Sequence, residues 1–364
     1  MVKVLFIDDD ENSVKPVMAL LGSRKDLYVV EFCEIFAEAE KQINAFVPDV
    51  VILDLKQDGG FRPEYTGNET MGFIWNSRFC PVIIYSAFPE ALASGDWGNH
   101  PFVKIVKKGK DSEKAVETEL KNLNNHIEAL NVTQKHIQNS LNMQVKEVAP
   151  QVFAQETDPE KQKDGVLRSA RRRLAASMDT PEGNLASWEG YIYPPFPEQI
   201  YLGDLLQLKG TPNDNPSNFR LVLTASCDLV TGHSKVKKVL VAECVTVKVG
   251  VDKILAKLQL CGTDRGWLLE KLNKLVLSQG YYMEYVPMPK LTNKIPLMWV
   301  DLKKLNLIPI ENIGPEKDYI RIASLDNPFR NFISWAYLQS ACRPGLPDRD
   351  FISWRDEIKS EDAR

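Results

Sequence analysis

The sequence predicts an α/β fold for residues 1–110, a doubly wound five-stranded parallel sheet, then a long coiled-coil helix and an α+β C-terminal domain. Three observations carry this reading. Short apolar runs alternate with amphipathic helical segments up to about residue 110, the pattern of a parallel sheet with crossover helices. A repeat of three- and four-residue apolar steps follows. Beyond residue 185, β-like runs are punctuated by prolines and aromatics.

Residues 2–7 (VKVLFI) form the first apolar run, long enough for a strand buried on both faces. Residues 28–33, 50–55, 81–87 and 102–107 supply four more, and segments such as 35–46 (IFAEAEKQINAF) have apolar residues at helical spacing. From Asp111, which with Ser112 suits a helix start, the residues Val116, Leu120, Leu123, Ile127, Leu130, Ile137, Leu141 and Val148 keep the 3.5 spacing of a coiled coil. Gln134 and Gln144 fill the two vacant seam positions, where Gln134 would help fix register. The same spacing also suits a single amphipathic helix lying on its own domain. A span of ~38 residues would run ~57 Å, and that length favours dimerisation. Pro150 is expected to end the helix, and residues 150–184 to form a linker containing a short basic helix with Arg168, Arg171, Arg172 and Arg173. Residues 185–364 complete the chain, with β runs at 220–226 and 236–248 and a helix over 253–277.

The 364 residues suggest two domains and a connector. A net charge of −4 gives no global reason to expect a nucleic-acid or membrane partner, and the arginines at 168–173 leave nucleic-acid contact open. No apolar run approaches the ~20 residues of a membrane span. The N-terminus lacks the basic start and small-residue cleavage site of a signal peptide, so the expected location is cytoplasmic. The six cysteines show no CxxC pairing and are expected to be free thiols.

In a doubly wound sheet, ligands bind beyond the carboxyl ends of the strands. The residues there are Asp8, Asp9 and Asp10 after the first strand, Asp54 after the third, Ser86 after the fourth, and Lys107 and Lys108 after the fifth. Acids from two strands form an oxygen cage of the kind that suits Mg²⁺. An aspartate there can attack phosphorus if metal and ammonium groups neutralise the developing charge.

The runs FIDDD, VVILDL and VIIYSA, with the lysine-bearing fifth strand, resemble in order and spacing the flavodoxin-like receiver domain of two-component response regulators. The resemblance covers residues 1–115. It implies that Asp54 accepts a phosphoryl group from a phosphohistidine on a histidine kinase or phosphotransfer protein. It further implies that Asp8 and Asp9 are the acidic pair at Mg²⁺, with Asp9, Asp54 and the backbone carbonyl of Lys56 as ligands. Ser86 would hydrogen-bond a phosphoryl oxygen. Lys107 would pair with the phosphate, with Lys108 as the substitute because the family's Lys-Pro dipeptide is Lys107-Lys108 here. Three departures from the family pattern stand out. The loop over 57–70 is long, and the 88–99 segment is short and carries two glycines. The family's aromatic switch position holds Lys104, or Ile105 if Lys108 is the lysine.

Further along, Cys227, His233, Cys244 and Cys342 offer the donor types of a zinc site without its tight paired spacing. Asp228 and Glu243 form a nuclease-like pair that lacks the accompanying lysine. His126 and His136 flank the helical seam with no phosphohistidine motif around them, and His100 precedes the fifth strand. No enzymatic motif identifies residues 185–364. The output is therefore open between a phosphate sink or binding module and an effector, metal-dependent or nucleic-acid-binding, controlled by phosphorylation.

Overall fold

The computed structural model describes residues 1–55, 67–87, 100–178, 185–197, 199–246, 266–276, 285–342 and 351–361. The chain divides into two compact units, Met1–Met178 and Asp179–Arg364.

In the first unit, β1 (Val2–Ile7), α1 (Glu11–Gly22), β2 (Tyr28–Cys33), α2 (Ala39–Phe46), β3 (Val50–Leu53), α3 (Gly67–Ser77), β4 (Val82–Ser86) and β5 (Val103–Lys107) alternate as expected. The strands pair in parallel in the order β2-β1-β3-β4-β5. Side chains alternate across a sheet, and strands with apolar residues on both faces therefore supply two cores. Leu5, Ile7, Val51, Leu53 and Ile84 pack with Ile43 of α2 and Ile74 of α3. Val4, Phe6, Ile52, Ile83 and Val106 pack with Val14 and Val17 of α1 on the other face.

That second face also receives α4 (Ser112–Gln155), and here the seam expectation needs correction. Val116, Leu120, Leu123 and Ile127, 0–4% exposed, are core residues of the sheet domain itself. A 3–4 spacing makes one apolar stripe whether the stripe meets a sheet or a second helix. Here the uncovered side of β4 and β5 takes it. Gln134 is not a seam residue either, since its side-chain amide donates to the Phe79 carbonyl at 2.7 Å. Asn131 similarly donates to Asp49 at 2.8 Å.

Pro150 does not end α4, which continues to Gln155. A proline inside a helix removes one backbone hydrogen bond and costs stability. The helix is supported there by α5 (Pro159–Met178), which folds back against it. Val152 lies against Gly165, Gln144 accepts from the Arg173 Nε at 2.9 Å, and Val148 and Ala170 are both buried. These three pairings share nearly one residue sum, as two antiparallel helices require. A Cβ on Gly165 would sit 2.9 Å from a Val152 methyl, so glycine permits the close approach. Within the described part of the expected 150–184 linker, the turn at residues 156–158 connects the two helices, and Asp158 caps α5 by accepting from the amides of Glu160 and Lys161 at 2.9 and 3.2 Å; residues 179–184 lie outside the described residues. The basic segment is the second half of α5.

The second unit contains an antiparallel sheet. Its strands are β6 (Tyr191–Ile192), β7 (Asp204–Leu208), β8 (Phe219–Val222), β9 (Lys238–Val245), β10 (Tyr285–Met288), β11 (Met298–Pro309) and β12 (Tyr319–Leu325). They lie in the order β10-β11-β9-β8-β7-β12-β6. The helices are α6 (Gly266–Val276), α7 (Phe329–Ala341) and α8 (Phe351–Glu361). The α+β expectation holds. One sheet face packs Leu205, Leu221, Ala242, Val300 and Ala323 on Ile333 and Ala336 of α7, and the other gathers Leu206, Val222, Val241 and Ile308. Of the helix expected over 253–277, the part before Gly266 lies outside the described residues.

Candidate functional site

The parallel register sets the rim. Ile7 is level with Leu53, and the Asp54 amide donates to the Ile7 carbonyl at 2.9 Å, which brings the residues following β1 and β3 side by side. Asp8 and Asp54 are buried there, and Asp9 is partly so. One carboxylate oxygen from each of the three lies within 4.8 Å of the others. Asp10 caps α1 by accepting from the Asn12 amide at 3.0 Å, which pins the chain just after the acids. Ser86 closes β4 and is also buried.

The ammonium expected from Lys107 comes from Lys108. Its Nζ donates to Asp8 Oδ2 at 2.7 Å and to Asp54 Oδ2 at 3.1 Å. Strand alternation explains the choice. Val106 faces the core, Lys107 points to the exposed side, and Lys108, two positions after Val106, turns back toward the acids. The backbone ladder persists one step beyond β5, with the Lys108 amide donating to the Ser86 carbonyl at 2.9 Å. The position three residues before Lys108 is Ile105, half-exposed, so no aromatic stands there.

Burial pushes the Asp8 carboxyl above its ordinary value, although Lys108 and the Asp10 amide oppose that. For Lys108, burial pulls downward, but its bonds to Asp8 and the nearby charges of Asp8 and Asp54 outweigh it, so the ammonium is held above its ordinary value. Three carboxylates gather beside one ammonium in a small, mostly buried volume. The all-oxygen donor set fits one hard divalent cation such as Mg²⁺. Lys56, expected to lend a backbone carbonyl, lies outside the described residues, as do most of the loop after Asp54 and the 88–99 segment.

The sequence reading missed three residues here. Ser13 donates to both Asp8 oxygens, at 3.2 and 3.1 Å, and accepts from Lys108 Nζ at 2.9 Å. Its signal was available, since it lies in the first turn of the helix that leaves the acidic run. Tyr85 lies under Lys108, with the ammonium 5.6 Å from the ring centre, and its hydroxyl shares a 2.8 Å hydrogen bond with Ser112 at the start of α4. Nothing in the local sequence joins residues 85 and 112.

The expected zinc residues are not brought together. Among the described residues, the one grouping of three metal-ligating side chains is Asp8, Asp9 and Asp54. Strand alternation aims Cys244 into the core of the second unit, where burial pushes its thiol up to about 12. Cys227, His233 and Cys342 are exposed. Among the described residues, no helix is long and apolar enough to cross a membrane.

No family model and no curated protein matches the chain. Solved structures do. The response regulator TrrA from Thermotoga maritima, in complex with Mg²⁺ and BeF, is 22% identical over 33% of this chain and 98% of its own, with a TM-score of 0.28. A response regulator receiver domain from Clostridium thermocellum is 20% identical over 36% and 99%, with a TM-score of 0.29. A mutant anti-anti-sigma factor PhyR from Bartonella quintana is 21% identical over 31% of this chain and 45% of that one, with a TM-score of 0.26. Each of these matches covers about a third of this chain.

Proposed function

We propose that this chain is a response-regulator-like phosphoacceptor. Asp54 takes a phosphoryl group from a phosphohistidine on a histidine kinase or phosphotransfer protein, in a Mg²⁺-dependent step. A carboxylate oxygen of Asp54 forms the new O–P bond as the N–P bond of the donor breaks, and the leaving imidazole takes up a proton. Asp8, Asp9 and Asp54 would hold Mg²⁺, which when bound supplies positive charge against the transferring phosphoryl oxygens. Lys108 offers a second cation at the same atoms, and Ser86 a hydroxyl at the neighbouring strand end.

The observation that carries this reading is the Lys108 ammonium spanning Asp8 and Asp54, with the Asp9 carboxylate beside them as a third oxygen donor for a metal. The Tyr85–Ser112 bond offers a route outward, because it connects the residue beside Ser86 to the first turn of α4. We further propose that the chain self-associates through the helices that leave the sheet domain, and that phosphorylation biases that assembly and, through it, the C-terminal unit. Incubation with Mg²⁺ and a small phosphodonor such as acetyl phosphate tests the acceptor role, read by intact-mass spectrometry. Wild type should gain one phosphoryl group and Asp54→Asn none. Undiminished labelling of Asp54→Asn would overturn the assignment.

A further inference from the structure

We propose that Ser13 is a positioning residue for phosphoryl transfer: its hydroxyl holds the Lys108 ammonium in place while that ammonium exchanges its bond to Asp54 for one to the incoming phosphoryl group. The inference rests on the phosphoacceptor reading above and extends it to a residue outside the acids. Ser13 is the third residue of α1, just past the Asp10 cap. A polar side chain at that position commonly reaches back to the amide of the capping residue. Here that amide is taken, because the Asp10 N–H donates to Asp8 Oδ1 at 2.9 Å, and the Asp10 carboxylate itself serves the Asn12 amide. The Ser13 hydroxyl is therefore not needed to start the helix, and it turns into the site instead. Its proton faces Asp8, with the two carboxylate oxygens at 3.2 and 3.1 Å, and its oxygen accepts from Lys108 Nζ at 2.9 Å.

A lysine ammonium has three N–H donors and no acceptor. Lys108 meets three acceptors, Asp8 Oδ2 at 2.7 Å, Ser13 Oγ at 2.9 Å and Asp54 Oδ2 at 3.1 Å. The bond to Asp54 is the longest of them, and it is the one the reaction has to change. As an Asp54 oxygen forms its bond to phosphorus and the N–P bond of the donor breaks, the carboxylate becomes an acyl phosphate. Negative charge then lies on the phosphoryl oxygens beyond Asp54, and the N–H that faced Asp54 follows it. Asp8 and Ser13 keep the other two N–H groups throughout. Two anchors fix an axis about which the ammonium turns, whereas Asp8 alone would leave it free on a flexible four-carbon stem. A donor already aimed where charge develops needs little reorganisation at the moment of transfer. Ser13 also steadies the other anchor, since its proton lies against both Asp8 oxygens.

The rate at which acetyl phosphate and Mg²⁺ label the full chain, followed by intact-mass spectrometry with circular dichroism to verify folding, tests this. Ser13→Ala should label about tenfold more slowly than wild type, the effect of losing one hydrogen bond to a charged group. Ser13→Thr keeps the hydroxyl and should label within about threefold of wild type. Should Ser13→Ala fail to fold, Ser13→Cys, whose thiol is the weaker hydrogen-bonding group, carries the same expected direction. The Mg²⁺ concentration giving half the maximal rate should stay within about twofold in every variant, because Asp9 and Asp54 are untouched and Asp8 keeps the Asp10 amide. A wild type that takes up no phosphoryl group would overturn the phosphoacceptor reading and this role together. With wild type labelled, a Ser13→Ala variant as fast as wild type, or a folded Ser13→Thr variant as slow as Ser13→Ala, would overturn the role of Ser13 alone. So would a rise of more than about tenfold in the Mg²⁺ requirement, which would place the effect in the metal cage and not at Lys108.

Discussion

Replacing Lys108 with Met removes the ammonium that bridges Asp8 and Asp54, while Met keeps most of the stem's packing. Two unit charges 4 Å apart interact by about 4 kcal/mol at an effective dielectric of 20, so the orphaned acids repel each other by roughly that amount before relaxation. Removing one partner of a fully buried pair costs about 3–5 kcal/mol. Here the Lys108 side chain is 15% exposed and water reaches the rim, so a loss of about 2–3 kcal/mol at neutral pH and without divalent metal follows. The sign with pH is fixed by Asp8, whose carboxyl is already raised above its ordinary value. Without the ammonium it rises further, and protonation in the folded state then relieves the repulsion. The deficit relative to wild type is therefore largest at neutral pH and shrinks as pH falls through the Asp8 titration. Thermal unfolding of the full chain, followed at pH 5 and pH 7.5, measures this. Lys107→Met, on the exposed side of β5, should cost clearly less than Lys108→Met. If Lys107→Met proved the more damaging change, or the Lys108→Met deficit grew in acid, the assignment of the ammonium would fail.

Two further outcomes follow from the same geometry. Mg²⁺ at ten times its Kd should stabilise the first unit by about 1.4 kcal/mol, reversed by chelator and abolished in Asp54→Asn; calorimetric scans with and without the metal check this. Leu120→Ala should destabilise by about 2–5 kcal/mol, because Leu120 is fully buried against the sheet. Leu141→Ala, on the half-buried part of α4, should cost clearly less, and the two are compared by urea unfolding of the full chain.

Much of the sheet domain was legible because its strands are apolar on both faces over most of their length and Asp8 and Asp54 stand where strands stop. Parallel strands buried on both faces leave little alternative to such a pattern. The lysine was harder to fix. Lys107 and Lys108 differ by one step, and in a strand one step is the difference between the acids and the exposed side. The pairing of Tyr85 with Ser112 depends on how α4 docks, which no local pattern encodes. The helix beyond Asp111 was legible as a helix, but its stripe said nothing of what it meets, so four seam residues turned out to be core. Pro150 carried a strong local signal for an ending, and tertiary support from α5 overrode it. In the second unit, Cys227, His233, Cys244 and Cys342 matched zinc chemistry by type alone, and spacing along the chain could not say that Cys244 turns into the core.

The continuity of α4 has a mechanical consequence. Its first turns are wedged into the sheet domain, and among the described residues the Gln134 amide on the Phe79 carbonyl is its last hydrogen bond to that domain. From there to Gln155 the helix extends about 32 Å as a stiff rod. A lever of that length turns a tilt of about 5° at the sheet into a sweep of about 3 Å at the tip, more than half the rise of a helical turn. The same tilt about Gln134 carries Ser112, about 33 Å back along the helix, by about 3 Å, so a rearrangement of that size around Lys108, Tyr85 and Ser112 is matched at the far end of the hairpin.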